Sequence, residues 1–149
     1  MAVLQNSFAD DIATGYPGME ADGELSSIIS RTLEAGPACA FGRPVYQGAN
    51  DRGVTLTVSA DLMGFALTNR FLVVTADRPV DAYAPGDTVR VKNRGKLWVQ
   101  STTATTDRAQ VYITAAGAVT ATASGNTAAA GWQFDDTIAA AGVVRIVRR

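Results

Sequence analysis

Apolar residues in this chain recur at intervals of two, in runs too short for helices and cut by turn formers every eight to twelve residues. Such a chain can bury them only by building short strands into sheets that cover one another or close on themselves. The clearest run is residues 87–100, DTVRVKNRGKLWVQ. Val89 and Val91 alternate with Arg90 and Lys92, and Leu97 and Val99 alternate with Lys96, Trp98 and Gln100. Between them Asn93-Arg94-Gly95 reads as a hairpin turn, because glycine reaches a positive φ without steric cost. The hairpin would have one aliphatic face and one outward face carrying Arg90, Lys92, Lys96 and Trp98. A tryptophan among outward cations either lies on the stems of its neighbours or meets another macromolecule.

The same reading gives strands elsewhere. Residues 38–47 form one, interrupted at Gly42 and Pro44, followed by 54–58, 64–67 and 71–75. Residues 77–86, with Pro79 and Ala84-Pro85-Gly86-Asp87, read as a loop. The Ala- and Thr-rich stretch 101–130 holds a thin hairpin, Val111-Tyr112-Ile113 with Val119-Thr120-Ala121-Thr122, and a mobile loop at 124–130. Residues 132–135 and 143–147 complete about nine strands, and the expected fold is an all-β sandwich or barrel.

Residues 1–37 differ from this pattern. Gly15-Tyr16-Pro17-Gly18 and Glu20-Ala21-Asp22-Gly23 crowd turn formers and carboxylates together. The segment reads as an extended arm joined to a β domain at 38–149, with residues 26–33 extended at its root. Leu4, Phe8, Ile12, Tyr16 and Met19 recur every three or four residues and offer anchors to a neighbouring subunit, with Arg31 and Glu34 near the root. Removing residues 2–20 is expected to leave the β domain folded.

Composition excludes much chemistry. With no histidine among 149 residues, Ser-His-Asp and Cys-His arrangements and the commonest metal ligand are ruled out. Cys39 is the single cysteine, so neither an intrachain disulfide nor a thiolate zinc site is available, and its apolar surroundings suit a buried role. The pairs Asp10-Asp11 and Asp135-Asp136 and the cluster Glu20, Asp22, Glu24 read as solvated surface charge rather than acid–base machinery. No phosphate-cradling glycine loop is present, no cofactor is expected, and neither a signal peptide nor an 18-residue apolar span occurs. Net charge is −1, which gives no global attraction to nucleic acid or membranes.

Several segments together resemble the small structural cement, or decoration, proteins of tailed bacteriophages. They are Gly15-Tyr16-Pro17-Gly18-Met19-Glu20-Ala21-Asp22, Ser30-Arg31-Thr32-Leu33-Glu34, Phe41-Gly42-Arg43-Pro44-Val45 with Gly48, and Gly64-Phe65-Ala66-Leu67. Tyr83-Ala84-Pro85-Gly86-Asp87-Thr88-Val89 and Arg94-Gly95-Lys96-Leu97-Trp98-Val99 close the set, while residues 101–130 depart from it in their extra alanine and threonine. The resemblance implies a jelly-roll-type sandwich with an arm, a non-enzymatic protein of the virion bound outside the shell of the major capsid protein. Candidate contacts with coat or subunit are Phe8, Tyr16, Met19, Arg31, Glu34, Arg90, Lys92, Lys96 and Trp98. An outward Trp98 favours self-association, as a trimer rather than a dimer. The alternative is a small nucleic-acid-binding β-barrel using the basic, aromatic face.

Overall fold

The structure, a computed structural model, describes residues 13–73, 75 and 79–149. Eleven strands and no helix occur among them. In chain order they are β1 (Ser27–Leu33), β2 (Cys39–Ala40), β3 (Pro44–Gln47), β4 (Gly53–Thr55), β5 (Leu62–Ala66) and β6 (Ala82–Tyr83). There follow β7 (Thr88–Ser101), β8 (Gln110–Ile113), β9 (Val119–Thr120), β10 (Thr127–Phe134) and β11 (Gly142–Arg148).

β7 organises the rest. Its 14 residues pair along the first half with β1 and β5, and along the second with β11 and, at Ser101, β9. The pairings close two rings that share this strand: β1-β4-β3-β5-β7 and β7-β11-β10-β8-β9. The barrel expectation therefore holds in doubled form. Period-two alternation serves both barrels. Val89 and Val91 enter the first core with Leu33, Val45, Val54 and Ala66, while Leu97 and Val99 enter the second with Val111, Trp132, Phe134 and Ile146. On β5 the neighbours Phe65 and Ala66 split between the cores, and Phe65 meets Trp132 edge to face, centroids 4.9 Å apart. Closed rings leave few open strand edges to aggregate.

The expected hairpin is corrected to a bulge. Residues 93–95 do not reverse the chain: β1 skips a residue between its Lys92 and Arg94 partners, and Gly95 takes φ 103°. A β-bulge with a left-handed glycine uses the same local chemistry as a turn, and partners on both sides of the strand decide between them. The remaining corrections are smaller. Residues 71–73 and 75 lie outside every strand, residues 77–86 contain β6, and β10 begins at Thr127 inside the expected mobile loop. The expected hairpin at 111–122 is present as β8 and β9, paired Tyr112 to Thr120 and Ile113 to Val119. Residues 26–33 are extended as expected, but as β1 they make six register pairs with β7, so the sheet claims the root of the arm.

Candidate functional site

What remains of the arm in the described residues, 13–26, lies across β7 as a strap. Pro17 and Gly18 occupy the central positions of a turn closed by Met19 N–H on the Tyr16 carbonyl at 3.0 Å, with φ 83° at Gly18. Beyond the turn, Gly18 N donates to Trp98 O at 2.8 Å, Trp98 N to Met19 O at 2.9 Å and Ala21 N to Lys96 O at 3.3 Å, while Gly18 O accepts from Thr68 N at 2.8 Å. The strap fills the free edge of β7 between β5 and β9.

It also covers the face expected to point outward. Lys92 is fully buried, its Nζ 2.6 Å from Glu20 Oε1. Lys96 lies 2.9 Å from Asp22, 3.4 Å from Glu24 and 2.8 Å from Asp135. Trp98 is only 5% exposed, with Arg145 stacked 5.5 Å from its ring centroid and itself paired to Asp136. Arg90 is half-buried and donates to Thr68 O at 3.2 Å. Lys92, Lys96 and Trp98 are therefore not outward side chains: the strap lays carboxylates over the two lysines, and Trp98 is covered by the strap at Gly15 and by Arg145. Glu20, Asp22, Glu24, Asp135 and Asp136, read as solvated charge, are counter-ions of that buried layer. The basic surface needed by the nucleic-acid alternative is neutralised here. Phe8, with Leu4, Ile12, Asp10 and Asp11, lies outside the described residues. Met19 is half-buried in the strap, and Arg31 bonds the Ser30 carbonyl while its buried Nε has no partner among the described residues.

Titration follows from these contacts. Burial raises the Asp22 pKa, but the Lys96 bond and the Glu24 N–H outweigh it and hold the carboxyl below its usual value. At Lys96 burial opposes the charge, and bonds to Asp135 and Asp22 more than compensate, raising its pKa. Glu34 sits apart, clamping the turn between β3 and β4. Its carboxylate accepts Asn50 N at 2.8 Å, Ala49 N at 3.1 Å and Asn50 Nδ2 at 2.9 Å, and those backbone bonds lower its pKa from 4.5. A depressed carboxyl pKa contributes stability above the unfolded-state value that is lost as pH falls through the folded one. The denaturation midpoint should thus decline as pH drops below about 4.5. Glu34→Gln should be less stable at pH 7 and converge with the parent near pH 2; parallel curves at all pH values would remove Glu34 from the account.

Three of the exposed apolar side chains gather elsewhere. In the loop joining β5 to β6, Phe71 is 94% exposed, Val73 71% and Val80 74%. Asn69 Oδ1 accepts the Phe71 N–H at 3.0 Å and turns the chain outward. Arg70 donates to the Tyr16 hydroxyl at 3.1 Å, so strap and loop share one surface. A recess of about 290 Å³ between them is lined by Tyr16, Phe41, Leu72, Pro79 and Val80 among others. Tyr16, a candidate contact from sequence, lies on this surface, whereas sequence reasoning took Phe71 and Val73 for strand, since aromatic and β-branched composition reports backbone preference without saying whether a partner strand exists. Among the described residues no group of three or more His, Cys, Asp or Glu side chains is arranged to hold a metal ion, and no helix is long and apolar enough to cross a membrane.

The described residues thus form two fused barrels, with charges engaged in closing a strap and the most exposed aromatic side chain held on the loop between β5 and β6. The fold superposes on a chain from "The capsid of Myoviridae Phage XM1" with a TM-score of 0.70 at 15% identity, covering 98% of this chain and 97% of that one. Over residues 4–149 the sequence matches the family described as structural cement protein (E217 gp24/Pam3 gp6), and the chain belongs to that family. It is a phage capsid cement protein, a component of the virion associated with the capsid shell. No curated protein matches it in sequence.

Proposed function

We propose that this cement protein sits on the outer surface of the shell, contacts the major capsid protein through the β5–β6 loop and Tyr16, and catalyses no reaction. The supporting observation is Phe71, 94% exposed and the most exposed large apolar side chain among the described residues. An aromatic held out on a turn is a ready anchor for a pocket on a partner. A ligand that binds only the assembled shell stabilises it by mass action, and repetition over a symmetric lattice multiplies modest contacts. Phe8 remains a proposed contact alongside Tyr16. A closed trimer is preferred over a dimer for its match to local three-fold axes, and with Trp98 5% exposed it is built without that side chain as its patch.

Phe71→Ser with Val80→Ser should leave the melting temperature within about 2 °C of the parent, because neither side chain is in a core, and weaken attachment to cement-stripped shells about tenfold or more. Attachment as tight as the parent's, measured by co-sedimentation, would move the contact off this loop.

A further inference from the structure

A second group of cations, two of them without a carboxylate partner among the described residues, lies at the seam between the barrels. Antiparallel register sets Ser27 beside Arg94 and Arg148 beside Gly95. The arginines thereby converge on a recess of about 490 Å³ completed by Ser27, Asn93 and Arg149. Arg149 is already engaged, 2.9 Å from Glu24 and 3.6 Å from Asp135. Arg94 and Arg148 form no ion pair with a carboxylate among the described residues, and the Arg148 side chain only donates to the Asn93 carbonyl at 3.4 Å. Guanidiniums gathered in a chain of net charge −1 repel one another until an anion is shared between them. Their planar forks suit carboxylates taken two bonds at a time.

We propose that this recess binds a short acidic segment of a protein partner, with carboxylates on Arg94 and Arg148 and a further bond from the Ser27 hydroxyl. The inference rests on the reading of the chain as an attached cement, and the acidic segment then belongs to the coat. Two features select a peptide over a nucleic-acid backbone. Leu25, 76% exposed and two residues before Ser27, offers apolar contact to peptide side chains beside the recess. Glu24 and Asp135 border the recess through their pairing with Arg149 and repel a continuous polyphosphate while leaving room for a few carboxylates.

The full-length protein is titrated with a hexaglutamate peptide and with a single-stranded hexanucleotide at low and high salt, and its attachment to cement-stripped shells is measured in parallel. The parent is expected to bind the peptide more tightly than the oligonucleotide, with affinity falling as salt rises. R94E/R148E should lose peptide binding about tenfold or more and weaken shell attachment, and R94Q/R148Q, which removes charge without introducing repulsion, should show the same direction with an unchanged melting temperature. Parent-like peptide and shell binding by both variants would overturn the proposal, as would tighter binding of the oligonucleotide. If F71S/V80S attaches normally while the arginine variants do not, the loop contact fails and this one stands; the opposite pattern overturns this one alone.

Discussion

Gly64→Ala is expected to cost about 3 kcal/mol and lower the melting temperature by roughly 10 °C, read by thermal unfolding of the purified protein. Gly64 lies in β5 at φ 144°, where L side chains rarely go. A Cβ built there would press on the Lys92 carbonyl oxygen and carbon of β7, and backbone held between two strands cannot step aside as a flexible side chain can. The close approach occurs where β5 and β7 pair through Phe65 and Lys92, so relief would loosen the shared strand. Gly23→Ala is the matched control: its added methyl meets nothing within 4 Å and should change stability by less than about 0.5 kcal/mol. Equal melting temperatures for the two variants would refute the packing at β5.

The second large effect is an asymmetry within one ion pair. Glu20→Gln should destabilise by about 2 kcal/mol, because it leaves the Lys92 ammonium enclosed without the carboxylate it is bonded to. The figure is set below that for a pair buried at both ends, since the Glu20 side chain is 43% exposed and water reaches that end. Lys92→Met should cost less than about 1 kcal/mol: the apolar chain fills the site and Glu20 hydrates. The double variant should resemble Lys92→Met. Denaturant midpoints giving equal losses for the two single variants would show that Lys92 is not a confined charge. The same pair predicts that deletion of residues 2–20 destabilises the barrels, against the expectation that the arm is dispensable, because the deletion removes Glu20 together with the Gly18 and Met19 bonds to Trp98.

Much of the barrel wall was legible in sequence because alternation is local. Val89, Val91, Leu97 and Val99 declare their inward face without reference to any other segment, as do Val111 and Ile113. The bulge at Asn93-Arg94-Gly95 was not distinguishable from a hairpin, since a left-handed glycine suits both and only the neighbours β1 and β11 decide. Trp98 was assigned outward for a different reason. The strap that closes over this face is distant in sequence, with Glu20 and Lys92 separated by 72 residues, and no local pattern reports a cover of that kind. The charges nonetheless carried a signal: Glu20, Asp22 and Glu24 alternate with the spacing of a strand, as Lys92 and Lys96 do on β7, and complementary alternation in two segments is compatible with their lying side by side. Phe71 failed in the reverse direction, its described neighbours Leu72 and Val73 lying outside every strand.

Because β7 belongs to both rings, no linker separates the two cores and no residue is available as a hinge between them. A protein built from two barrels on a tether adapts to changes in the spacing of its sites by swinging. This one holds both barrels on a single strand of 14 residues, so any contacts made from the two barrels are expected to keep one fixed spacing.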